Sequence, residues 1–148
     1  MIVLPDEILL KRIDSELKRG KILRTELILH TGSCFKRLIL LNKDFSEDNL
    51  FFIFSTTNVG WFKNYSQFTG VKGNFIIIPK GMTKDNPNED IVIDCRRVHS
   101  LKKEKLLENH KNNKLHFLGE IPTGIMGAID NIISISKLIS PKIKKHII

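Results

Sequence analysis

The feature that most constrains this chain is a succession of short apolar segments bounded by turn residues. Ile22 to Leu29, Arg37 to Asn42, Leu50 to Ser55, Asn74 to Ile78 and Ile91 to Val98 are each rich in β-branched or large apolar side chains. Thr31, Gly32, Asp44, Ser46 and Asp48, and later the Pro/Asn/Asp-rich stretch 81–90, separate them. Segments of this length and composition predict strands joined by turns, and short consecutive strands argue for a small barrel. Helical periodicity frames them. Pro5 to Arg19 places Leu9, Ile13 and Leu17 four residues apart, with acids at its start, bases at its end and Gly20 beyond, which predicts a short amphipathic helix. Leu101 to His110, with Ser100 as N-cap, and Ile121 to Leu138, with an apolar stripe of Ile125, Ile129, Ile132 and Ile133, predict two more. Gly124 and Gly127 inside the last cost roughly 1 kcal/mol each relative to Ala, which points to close backbone packing there. A basic turn follows Ser140 and Pro141.

With 148 residues and neither repeats nor a long linker, the expectation is one α+β domain, mainly β. The longest apolar runs, Leu38 to Leu41, Leu50 to Phe54 and Phe75 to Ile78, are strand length, far below the roughly 18 residues of a membrane helix. Pro5, Asp6 and Glu7 cut short the apolar start that a signal peptide needs. A cytoplasmic protein away from the membrane is expected. Cys34 and Cys95 are isolated and read as reduced thiols, with no cofactor and no metal site.

The chain carries 24 Lys+Arg against 16 Asp+Glu, a formal net charge of +8. The excess is uneven: no carboxylate occurs from Asn49 through Lys84, a stretch holding Lys63, Lys72, Lys80 and Lys84, and none follows Asp130. A one-signed surface of this kind suits a polyanion such as nucleic acid, or is simply a solvated lysine-rich face.

Four clusters carry candidate chemistry. Lys36 and Arg37 follow the Gly32-Ser33 turn at the start of a strand, where Arg37 can grip a phosphate with its planar fork; basic pairs there also blunt sheet edges. Ser55-Thr56-Thr57-Asn58 ends the next strand and offers hydroxyls to a phosphate or ribose, or else caps its own turn. Trp61, Phe62, Tyr65 and Phe68 alternate with Lys63 and Lys72, a pattern in which bases stack while lysines meet phosphates, or in which the rings fill an interior or an interface. Asp94-Cys95-Arg96-Arg97 sets an acid beside guanidiniums. Asp94 is then either a general base or, as favoured here, one half of a structural ion pair. His30 and His99 are the histidines nearest these clusters and are candidates for acid–base work.

Taken in order, these pieces resemble the MazF/PemK/Kid family of ribonuclease toxins from bacterial toxin–antitoxin pairs. The likeness runs over residues 19–139. It begins at Arg19-Gly20-Lys21-Ile22-Leu23, passes Gly32-Ser33, Arg37-Leu38 and Ser55-Thr56-Thr57-Asn58, and continues to Ile91-Val92-Ile93-Asp94-Cys95-Arg96-Arg97-Val98 and the helix with Ile125, Ile129 and Ile132. The resemblance implies a small SH3-like barrel of the MazF/PemK/CcdB type spanning 1–148. An added N-terminal helix (1–18) and a basic tail (140–148) would flank the 19–139 core. It further implies metal-independent cleavage of single-stranded RNA by attack of the ribose 2′-hydroxyl on the adjacent phosphate. Arg37 and Thr56 fall on the family's catalytic positions. Lys36, Thr57, Trp61, Lys63, Tyr65 and Arg97 would hold RNA, and a homodimer would be neutralised by a cognate antitoxin. Two other readings stand beside it: a CcdB-like inhibitor of a protein such as gyrase, and a barrel that binds RNA without cutting it.

Overall fold

In the computed structural model, which describes residues 4–58, 60, 74–82, 84 and 87–148, the continuous apolar runs are central strands covered on both faces. The elements in chain order are α1 (Asp6–Glu16), β1 (Lys21–Leu29), β2 (Gly32–Leu40), β3 (Asn49–Thr56), β4 (Phe75–Ile78), β5 (Ile91–Lys102), α2 (Lys103–Lys111), β6 (Leu115–Glu120), α3 (Thr123–Ile135) and α4 (Pro141–Ile147). The strands form one sheet in the order β4-β5-β3-β2-β1-β6, with every neighbouring pair antiparallel. The fold is thus α+β and mainly β. Among the described residues the sheet is open, with β4 and β6 as its edges.

Strand alternation sends neighbouring residues into two cores. Leu23, Leu27, Leu38, Leu40, Leu50 and Phe52 pack with Ile13 and Leu17 at α1 and Leu106 of α2. Ile22, Ile39, Leu41, Phe51 and Ile53 pack on the other face with Met126, Ile129 and Ile133 of α3 and Ile147 of α4. Leu38, Ile39, Leu40 and Leu41 are all fully buried; each such side chain contributes about 1.5 to 3 kcal/mol by leaving water. A strand buried on both faces reads as an unbroken apolar run, which is why these segments show no polar alternation.

Several boundaries differ from the expectation. Gly32 and Ser33 belong to β2, since only His30 and Thr31 separate it from β1 and Leu29 pairs with Gly32. Gly32 adopts a φ of +114°, open to glycine but unfavourable for other residues. β5 runs on to Lys102, so Ser100 pairs with Phe51 instead of capping a helix. Residues 115–120, which carry little strand signal, form β6. The basic tail is helical, with Ser140 accepting a hydrogen bond from the Ile143 N–H and Pro141 in the first turn.

Two buried polar devices set the strand spacing. Asn42 accepts from the Phe51 N–H (2.6 Å) and donates to the Asn49 carbonyl (2.9 Å), closing the β2–β3 connection. Arg19 donates to Asp130 (2.9 Å from Nη1), to the Leu41 carbonyl (3.0 Å) and to the Ile147 carbonyl (2.6 Å), stitching the start of β1 to α3 and α4. Gly20 follows at φ +85°, where an added Cβ would lie 3.3 Å from the Met126 side chain. The Arg19-Gly20 pair is therefore an anchor of the fold. The surroundings of Gly124 and Gly127 correct the packing expectation: among the described residues no neighbour lies within 4 Å of a Cβ built at either.

Candidate nucleic-acid interface

The strand registers place four polar residues in a single row across the sheet. His116 on β6 lies opposite Arg24 on β1, Arg24 opposite Arg37 on β2, and Arg37 opposite Ser55 on β3. By alternation the row lies on the same face as the isoleucine-rich core, two residues beyond the level of Ile22, Ile39 and Ile53. At this end of the strands the cover given by α3 has run out, and Arg24, Phe35 and His116 are exposed.

Arg24, Phe35, Arg37 and Ser55, with Lys36, Thr56 and Thr57, line an open groove of about 280 Å³. The Arg24 guanidinium sits 4.5 Å from the centre of the Phe35 ring, a cation–π contact that presents a flat, charged surface to solvent. Like charges directly opposite on antiparallel strands destabilise a sheet. The Arg24–Arg37 pairing sets two guanidinium-bearing residues side by side at the groove. Glu26, the carboxylate of β1, is turned to other use: Lys114 bonds it at 3.1 Å and holds its carboxyl below the usual range, with Ser33 adding a further hydrogen bond. Backbone positions carry the site, so its spacing is fixed by the sheet and not by loop conformation.

The expected site residues divide between this groove and the opposite face. Arg37, Thr56, Thr57 and Lys36 are brought together. Ser55 shares Arg37's face of the sheet and Thr57 follows just past the strand's end, whereas Thr56 falls on the alternate face and its Oγ1 accepts from the Asn58 N–H at 3.2 Å, ending the strand in a hydroxyl turn. Lys36 likewise directs its ammonium away, 5.9 Å from the centre of the Phe54 ring. Asp94 and His99 pair with Phe54 and Phe52 on the leucine-core face, away from the groove. Asp94 is bound at 2.8 Å by both Nε and Nη2 of Arg96, the structural ion pair that the sequence favours. His99 lies tilted against Phe54 with centroids 4.2 Å apart and stacks on Phe52 at 5.7 Å, and burial, then Arg97, keeps its pKa below the ordinary histidine value. Arg97 is exposed on β5. His30 sits in the β1–β2 turn, six residues and about 20 Å along the strand from Arg24. Trp61, Lys63 and Tyr65 lie outside the described residues.

Sequence reasoning passed over Arg24, Phe35 and His116. A two-residue turn at His30-Thr31 already puts Arg24 opposite Arg37, so reading the hairpin to its tip finds that pair. His116 needs β6, for which the sequence gives little signal. Compared with protein-family models and with curated proteins, the chain returns no match.

Proposed function

We propose that this protein is a metal-independent endoribonuclease of the MazF/PemK/Kid toxin type, acting on single-stranded RNA and neutralised by a cognate antitoxin. The observation that carries the reading is the Arg24–Arg37 pair set beside the hydroxyls of Ser55 and Thr57 in one groove. A phosphodiester fits this arrangement: two guanidiniums neutralise its oxygens, and hydroxyls donate to it without adding negative charge. The ribose 2′-hydroxyl attacks the adjacent phosphorus, the 5′-oxygen leaves, and a cyclic phosphate and a 5′-hydroxyl result. Charge accumulates on the phosphoryl oxygens as the pentacovalent state forms. Arg37, fixed on a central strand, stabilises that charge by preorganisation, and Ser55 on the same face orients the phosphate, the part the resemblance gives to Thr56, whose own hydroxyl closes the strand-end turn. Arg24 stacked on Phe35 offers a base a planar partner, and Trp61, Lys63, Tyr65 and Arg97 extend the contact along the strand of RNA.

On this reading the sheet is the curled sheet of an SH3-like toxin barrel. Its bends fall at two register breaks. β5 advances from Asp94 to His99 while β3 moves only from Phe54 to Phe52, and β6 gains a residue on β1 between Phe117 and Glu120. The homodimer belongs to the same proposal.

The test incubates wild-type and Arg37→Ala protein with long single-stranded RNA in EDTA and maps the ends. The expected result is cutting at a short recurrent sequence, lost in the variant. A folded wild-type protein that cuts nothing across a broad RNA panel overturns the nuclease. RNA retention without cleavage would then identify a binding barrel, and inhibition of gyrase a CcdB-like poison.

A further inference from the structure

We infer that His116 is the proton-accepting catalytic residue of the groove, an inference that rests on the nuclease reading. The sheet brings it there from a segment 79 residues beyond Arg37 in the chain, through the β1–β6 pairing that sets His116 opposite Arg24. Adjacent antiparallel strands lie about 4.8 Å apart, so His116 stands roughly 10 Å from Arg37, with Arg24 between them. A phosphate bridging the two arginines has the imidazole on one flank and Ser55 on the other.

The chemistry of that position is specific. Cleavage through the 2′-hydroxyl needs a group that takes its proton as the oxygen closes on phosphorus, and imidazole is the side chain suited to this near neutrality. The other carboxylates and histidines considered for this task do not occupy the row. Glu26 is held by Lys114, Asp94 is gripped by Arg96, His99 lies against Phe54 on the opposite face, and His30 is at the far turn. The charged groups nearest the imidazole on its side of the sheet are Arg24 on β1, Arg37 one strand further on and, one pair of residues along, the Glu26–Lys114 ion pair. His116 does not itself line the groove; it is exposed on the edge strand β6, one strand from Arg24, which does.

The step balances as follows. A ring nitrogen of His116 accepts the 2′-hydroxyl proton, the O2′–P bond forms, and the P–O5′ bond breaks. The departing 5′-oxygen takes a proton from water. The imidazolium then returns its proton to the hydroxide left behind.

The experiment measures single-turnover cleavage of a short RNA containing a mapped cut site, in EDTA, from pH 5 to 9, for wild-type, His116→Ala and His116→Gln. Binding of the same sequence carrying 2′-deoxyribose at the cut site is measured alongside. The expected result is a rate loss of about 100-fold or more in both variants, with binding of the uncleavable strand unchanged. The acid-side fall of the rate should disappear, and added imidazole should restore part of the activity of His116→Ala. Full activity in both variants, or equal losses of rate and binding, overturns the assignment while leaving the nuclease reading intact. A wild-type protein that cuts no RNA overturns both. Since His116 is exposed, an unchanged urea midpoint confirms that any loss is not one of folding.

Discussion

Asn109 provides the sharpest test of what holds the row of polar residues in place. It is 3% exposed, at the end of α2, and its Nδ2 donates to Thr25 Oγ1 at 2.8 Å and to the Glu26 carbonyl at 2.9 Å. The Thr25 hydroxyl, itself fully buried, passes the chain on to the Lys114 carbonyl at 3.0 Å. Thr25 follows Arg24 on β1 and Lys114 stands two residues before His116, just ahead of β6, so the network ties the start of the last strand to the first. Replacing Asn109 with Leu keeps the volume and removes both donations. Two neutral hydrogen bonds at about 1 kcal/mol each, with about 1 kcal/mol for a carbonyl left short of a donor, predict a loss of about 2 to 4 kcal/mol. With a urea slope of about 2 kcal/mol/M, the midpoint should fall by about 1 to 2 M. The double variant Asn109→Leu/Thr25→Val removes both partners of the side-chain bond, and so should cost less than the sum of the single changes. A loss below about 0.5 kcal/mol in Asn109→Leu, or strict additivity, would refute the view that this buried network locks β6 in register.

Other expectations are more compact. Gly20→Ala should destabilise by about 1 to 2 kcal/mol, because φ is +85° and the new methyl meets Met126. Gly127→Ala, on the open side of α3, should instead raise Tm by about 2 to 4 °C through helix propensity alone; a fall in Tm by calorimetry would mean that something packs there. Cys95 is buried and its thiol is pushed up to about 12, chiefly by burial, so native protein at pH 8 should take up one equivalent of iodoacetamide, at Cys34, and two in urea. Mass spectrometry showing modification of Cys95 in the native state would contradict this. Burial lowers the folded-state pKa of His99 and of His110, whose buried Nε2 has no hydrogen-bond partner among the described residues. The unfolded chain therefore binds those protons more readily. Their contribution to stability is complete above the ordinary histidine value of about 6.5 and is lost as pH falls below it. Urea midpoints should drop between pH 7.5 and 5.5, and His99→Phe should flatten the drop; an identical slope in that variant would count against the assignment.

How much of this was legible beforehand depends on what each signal is sensitive to. Composition and turn spacing located β1, β3, β4 and most of β5, because those strands bury β-branched and aromatic side chains. They could not settle whether the strands close into a barrel, and Leu38 to Leu41 shows why. A run without alternation means burial on both faces, here by helices on both sides of the sheet, and that signal is the same whether or not the sheet curls. β6 escaped because Leu115-His116-Phe117-Leu118-Gly119-Glu120 is half polar, short and at an edge, where pairing with β1 supplies what propensity does not. The same gap hid part of the site. Arg37 and the Ser55 to Asn58 turn were found from residue type alone, whereas Arg24 and His116 acquire their meaning only from the residues facing them.

The arrangement also explains how a destabilising row is tolerated. Two arginines opposite one another work against the sheet, yet the strands that carry them also hold Leu23, Leu38 and Ile39 fully enclosed next to the row. The cost of such a pairing is thus borne by a scaffold with extensive apolar burial, and on the proposed function a phosphodiester lying across the two guanidiniums offsets it. A site built in this way should bind a phosphodiester with a gain in stability. The gain should shrink as salt rises, because it comes from screened, exposed charge. Arg24→Gln should lose the anion-dependent gain while keeping, or slightly raising, the stability of the free protein, which separates what the row does for binding from what it costs the fold.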